Sequence, residues 1–166
     1  MGMLTVGISD LKIALPPDTL VTYALGSCVG ICLLDPMTRV AGMSHIMLPT
    51  SSVSPGDKNV FKFADTAIPD LVRKMEAKGA QKARLKAKIA GGAQMFGSST
   101  TGKAGATGDL WQIGQRNVAA VTAMLSKLNI PIIAKDVLAD YGRTIIFDPA
   151  TGILTVRAIN RNIREL

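Results

Sequence analysis

The stretch Leu25-Gly-Ser-Cys28-Val29-Gly-Ile-Cys32-Leu-Leu34-Asp35-Pro-Met-Thr38-Arg-Val40-Ala-Gly-Met-Ser-His45-Ile-Met-Leu48 is two apolar runs joined by turn residues. A short apolar run bounded by Gly, Pro and Asp reads as a strand buried on both faces. Val29–Leu34 and Val40–Leu48 are therefore expected to pair as a β-hairpin through Asp35-Pro36-Met37-Thr38. With a two- or four-residue loop, Asp35 pairs with Thr38, Leu34 with Arg39 and Cys28 with His45. Opposed residues share a face with Cβ atoms about 4.5–5.5 Å apart, and an odd-length loop would put them on opposite faces. The hairpin thus sets a thiol against an imidazole.

Working outward, Met3–Ile8, Lys12–Leu15 and Leu20–Leu25 read as further strands, broken by Pro16-Pro17-Asp18. Ser51–Asp57 is a polar loop. From Asn59 to Lys78 the apolar positions Val60, Phe61, Ala64, Ile68, Leu71, Val72 and Met75 follow helical spacing, with Pro69 expected to kink the helix and Gly79 to stop it. Arg84–Ala90 alternates as a strand. Gly91–Gly108 holds six Gly in 18 residues and reads as a loop. Arg116–Leu128 suits a second helix, and Pro131–Leu138, Arg143–Phe147 and Ile153–Ala158 suit strands. The class is α+β with mixed sheets, and 166 residues are expected to form a single domain, 1–166.

Composition removes several functions. The chain has two Cys and one His, too few for a zinc site at the usual paired spacing and too few for a disulfide framework. Reduced thiols are expected, with no metal and no cofactor. No run approaches the apolar length of a membrane span, so no membrane insertion is expected. The net charge is +7. Seven basic residues lie between Arg73 and Lys88 against Glu76 alone. No aromatic interleaves them, which argues against a nucleic-acid partner and leaves a solvated face or a docking surface for an acidic protein.

Two motifs mislead. Gly97-Ser-Ser-Thr-Thr-Gly102-Lys103 begins like a phosphate-binding loop, but Ala104 stands where a hydroxyl must meet Mg²⁺, and no helical pattern follows. Cys28 and Cys32 are separated by three residues, unlike a dithiol redox pair, and Cys32 is expected in the core.

Cys28 and His45 are the pair with chemistry. An imidazolium beside a thiol can bring its ionisation below neutrality, and the thiolate then attacks a carbonyl carbon. A third group normally orients the imidazole, and Thr22 on the preceding strand is a candidate.

Leu25-Gly-Ser-Cys28-Val, with Thr22 upstream and His45-Ile-Met-Leu-Pro49 downstream, resembles the chemoreceptor glutamine deamidase family, CheD. The resemblance extends to Lys62-Phe-Ala-Asp65-Thr-Ala67, Lys88-Ile-Ala-Gly91-Gly-Ala-Gln-Met-Phe96, Ile113-Gly114-Gln-Arg116-Asn117 and Asp140-Tyr-Gly142-Arg143. It implies hydrolysis of receptor glutamine side chains to glutamate and ammonia by a Cys28–His45–Thr22 triad through a thioester. It also implies a cytoplasmic protein, CheC as a partner, and a four-layer α/β/β/α fold like that of deamidating bacterial toxins. Candidate oxyanion donors are the backbone amides around Gly26, Ser27 and Cys28, or the Gly91-Gly92 turn. Two other readings stay open: a non-catalytic adaptor, and a methylesterase that uses the same thiol on the same receptors.

Overall fold

The computed structural model describes residues 2–94, 112–159 and 161–166. The Gly97–Lys103 segment lies outside these residues. Among the described residues, ten strands form two five-stranded mixed sheets. The strands are β1 (Met3–Thr5), β2 (Asp10–Ala14), β3 (Thr19–Leu25), β4 (Val29–Leu34), β5 (Ala41–Ile46), β6 (Lys86–Gly91), β7 (Ile132–Val137), β8 (Arg143–Phe147), β9 (Leu154–Ala158) and β10 (Arg164–Glu165). The helices are α1 (Ala64–Ala77) and α2 (Ile113–Lys127).

The first sheet runs β1-β3-β8-β9-β10 and the second β2-β5-β4-β6-β7, each antiparallel except for one parallel pair, β1 with β3 and β6 with β7. The α+β class with mixed sheets is as expected. β4 and β5, central in the second sheet, are buried along their whole length, which explains their unbroken apolar runs. Val29, Ile31 and Leu33 meet both helices in one core, with Ile68, Leu71 and Met75 of α1 and Val121 and Leu125 of α2. Cys32 and Leu34 face the other way, into a second core between the sheets with Leu20, Leu25, Ile145 and Phe147.

Among the described residues, both helices cover one face of the second sheet, and its other face packs on the first sheet. Tyr23 and Arg157, on the outward face of the first sheet, are exposed residues that suit water.

The hairpin register also differs, by two residues. β4 and β5 pair Leu34 with Ala41 and Gly30 with His45, and residues 36–39 form the connection. The cause is Asp35, whose carboxylate accepts the N–H groups of Met37 and Thr38 and so fills the turn from within. Arg84 Nε and Nη2, with the Gln81 N–H, lock the same carboxylate and hold it well below the usual carboxylate range.

α1 begins at Ala64 rather than Asn59, because residues 59–62 close a turn, with the Lys62 N–H donating to Asn59 O, and extended Phe63 is tied beside the end of β5. Lys62 O accepts the N–H groups of Met47 and Leu48, and Phe63 bridges Leu48. The helix continues through Pro69 to Ala77. β10 has no apolar pattern and escaped the sequence reading.

Candidate active site

A slip of two residues leaves the face of every side chain unchanged, because strand side chains alternate with period two. Cys28, Gly30 and His45 therefore stay on one face of the second sheet, the face toward the first. Gly30 now stands opposite His45, and Cys28 is its diagonal neighbour. Diagonal partners lie roughly 7–8 Å apart at the backbone, within reach of side chains that lean toward each other. Gly30 has no side chain to intervene, and a Cβ there would collide with Ile145 Cδ1 at 2.6 Å.

Thr22 reaches the same interlayer space from β3. A bulge after it, with Ala24 at φ 58°, turns Tyr23 outward while Thr22 and Leu25 stay inward. Thr22 Oγ1 lies 2.7 Å from His45 Nδ1 and donates to Val6 O at 2.7 Å. A hydroxyl has one proton, and the carbonyl can only accept. Thr22 must therefore accept from Nδ1–H, which leaves the lone pair on Nε2. That atom is buried and, among the described residues, has no hydrogen-bond partner. A buried imidazole nitrogen left unpaired is costly unless something else uses it.

Burial pushes the His45 pKa down from 6.5 to about 4. Burial pushes the Cys28 thiol up from 9.0, with its own backbone N–H acting in the opposite sense. Both shifts favour the neutral thiol and the neutral imidazole. The desolvation that removes water from the interlayer space disfavours both charges. Cys32 is fully buried among the interlayer residues, as expected for a core thiol.

The turn that carries Cys28 is held by its carbonyls. Gly26 O accepts from the Ala93 N–H and Cys28 O from the Gly92 N–H, both at 2.8 Å. Ser27 O accepts from Asn117 Nδ2 at 2.9 Å. The turn at Gly91-Gly92 has φ values of 112° and 69°, and a Cβ on Gly91 would strike Cys28 O. Two of the expected oxyanion donors are therefore already occupied: the Gly92 N–H by Cys28 O, and the Gly26 N–H by Ala24 O at 3.1 Å.

Behind this turn, the Leu138 N–H donates to Gly91 O and the Gln94 N–H to Ala139 O. Leu138 and Ala139 are both left-handed, at φ 66° and 61°. Arg143 holds that strained pair, donating to Leu138 O and to the buried carboxylate of Asp136, both at 2.9 Å. Neither Arg143 nor Asn117 stands out in the sequence except inside the family motifs. A buried Arg is rare enough without its partner in view that spacing alone does not reveal it.

A family model for CheD chemotactic sensory transduction matches residues 47–158, most of the chain. The chain belongs to the CheD family. Curated relatives extend the likeness over the Cys28 turn and its neighbours. The "Chemoreceptor glutamine deamidase CheD" of Halalkalibacterium halodurans is 48% identical over 164 residues, covering 97% of this chain and 96% of its own. The "Probable chemoreceptor glutamine deamidase CheD" of Desulfitobacterium hafniense is 49% identical over 159 residues, covering 96% and 95%. That of Lachnoclostridium phytofermentans is 45% identical over 164 residues, covering 99% and 98%. Among the described residues of this CheD-family chain, no helix is long and apolar enough to cross a membrane.

Proposed function

We propose that this chain, acting as one domain, hydrolyses the side-chain amide of glutamines on chemoreceptors, with Cys28 as nucleophile, His45 as base and Thr22 as the group that orients the imidazole. The observation that carries this reading is the Thr22–His45 hydrogen bond. It fixes the tautomer with the lone pair on Nε2, which has no hydrogen-bond partner among the described residues and is therefore available as a base to Cys28, the diagonal neighbour of His45. The names of the relatives supply the substrate class.

His45 Nε2 takes the thiol proton as the sulfur forms a bond to the glutamine Cδ. Because both groups rest neutral, the charge separation is deferred until substrate has entered and an oxyanion develops. The Ser27 and Cys28 amides are the donors we assign to that oxyanion. A trans peptide points its N–H opposite to its C=O. With the carbonyls of Gly26 and Ser27 held by Ala93 and Asn117, the next two N–H groups face away from those partners. A donor so placed is worth about 2.7–4 kcal/mol. Gly91 and Gly92 serve instead to hold the turn. The C–N bond then breaks, and the nitrogen leaves as ammonia with the proton from His45. Water, deprotonated by His45, cleaves the thioester to give glutamate and the free thiol.

The test is incubation with a receptor cytoplasmic fragment and mass spectrometry for Gln-to-Glu conversion. Wild type converts specific glutamines and Cys28→Ala converts none. Conversion by Cys28→Ala would refute the assignment, and binding without conversion by wild type would favour an adaptor. Family membership is also what supports a cytoplasmic location and CheC as a second partner, checked by co-purification of the two chains.

A further inference from the structure

α2 buries Gly114, Asn117, Val121 and Leu125 along one stripe, and Asn117 is the polar member of that face. It is completely buried. Burying an amide among apolar neighbours is unfavourable unless its groups are bonded, and Oδ1 has no partner among the described residues. Packing therefore does not explain the residue; its two N–H groups do. Nδ2 donates to Ser27 O at 2.9 Å and to Met47 O at 2.8 Å. Ser27 precedes Cys28, and Met47 lies two residues beyond His45. One nitrogen thus spans the ends of both strands that carry the reacting pair, just beyond the last ladder pair, Val29 with Ile46.

We infer that Asn117 is a positioning residue for the reaction, setting the span between Cys28 and His45 and fixing the plane of the Ser27–Cys28 peptide. The inference rests on the reading of Cys28 and His45 as nucleophile and base. The register makes the brace necessary: Cys28 is a diagonal neighbour of His45, and its carbonyl is tied to Gly92 beyond β6 while the β4–β5 ladder begins only at Val29 with Ile46, so ladder bonds alone do not fix its distance from His45. The bond to Ser27 O also orients the Cys28 N–H on the far side of the same peptide. Asn supplies what the alternatives lack. Asp has no donor, Ser has one, and Gln is longer by a methylene.

The experiment follows alkylation of Cys28 by iodoacetamide, read on the Cys28 peptide by mass spectrometry, in wild type, His45→Ala, Asn117→Ser and the double variant. In wild type, removing His45 slows alkylation, because Nε2 takes the thiol proton as the sulfur attacks the reagent. In Asn117→Ser, removing His45 has little further effect, because the base is no longer in place. Glutamine conversion by Asn117→Ser shows kcat lower by about 10–100-fold with KM little changed, the cost of roughly 1 Å of misplacement. If His45 accelerates alkylation equally with and without Asn117, the inference fails and the functional reading survives. If His45 has no influence in wild type, the functional reading fails and takes the inference with it. The unsubstituted protein supplies a test that needs no variant. The Asn117 side-chain NH₂ protons should exchange slowly with deuterated solvent, and rapid exchange would overturn the brace.

Discussion

The hydroxyl of Thr22 has one proton and two jobs. It gives the proton to Val6 O and its lone pair to His45 Nδ1–H. Thr22→Val keeps the shape but leaves Val6 O and Nδ1–H unpaired inside the protein. Each such group costs about 1–3 kcal/mol, and the imidazole loses its preferred tautomer. Glutamine conversion by Thr22→Val should therefore fall about 100-fold, whereas Thr22→Ser should stay within a few-fold of wild type. Rates of ammonia release compare the two, and equal rates for Val and Ser would remove Thr22 from the mechanism. The Thr22–His45 contact is not legible from spacing, which makes Thr22 no more than a candidate, because a strand residue gives no sign of what the facing sheet brings to it. His45 and Cys28 were legible, since each belongs to a residue type scarce in this chain and the hairpin set them on one face.

At the level of elements, the hairpin parity survived a register error, and the reason is local. By residue type Asp35 to Thr38 form a loop of their own, but Asp35 is half ladder and half turn. Its N–H donates to Val40 O while its side chain caps Met37 and Thr38. No periodicity encodes that double use, nor the distant Arg84 that fixes it. The Gly91-Gly92 turn is a similar case. Two adjacent Gly were legible as a break in the strand, but the reason for them is that Cys28 O occupies the space of a Cβ. Gly91→Ala should push the Cys28 turn out of place. Gly79 provides the control: its φ of 105° resembles the 112° of Gly91, but no atom lies within 4 Å of its Cβ position. Both substitutions carry backbone strain of about 1–3 kcal/mol, visible in thermal melts. Only Gly91→Ala should lose glutamine conversion, by at least about tenfold. Equal activity in the two variants would mean that the turn does not position the thiol.

Across the whole molecule, charge is spent on structure more than the composition suggests. Of the seven basic residues between Arg73 and Lys88, Arg73 and Lys74 pair with Asp70 and Arg84 pairs with Asp35. Lys88 donates to Gly152 O and Leu166 O, joining the second sheet to the C-terminal end of the first. Arg73 and Lys74 share one carboxylate and stay exposed, so a docking surface read from the run of charges loses Arg84 and Lys88 and keeps Arg73, Lys74, Lys78, Lys82 and Lys86. The deeper electrostatic consequence lies in the interlayer space, where the fold holds an imidazole neutral. His45 has a native pKa of about 4 against 6.5 for the unperturbed group. Between those values the unfolded chain binds more protons than the native one, so stability rises with pH there and is lost as pH falls from 6.5 toward 4. By pH 5 the loss from this group is about 2 kcal/mol. Urea unfolding at pH 7 and pH 5 measures it. Carboxylates take up protons as the pH falls through the same range and the growing net positive charge adds repulsion, so the comparison must be with His45→Gln, which keeps every other titrating group. The variant should show a pH dependence shallower by about 2 kcal/mol over that interval. Parallel curves would mean that His45 is solvated and free to charge, and the neutral resting pair with its deferred charge separation would have to be abandoned.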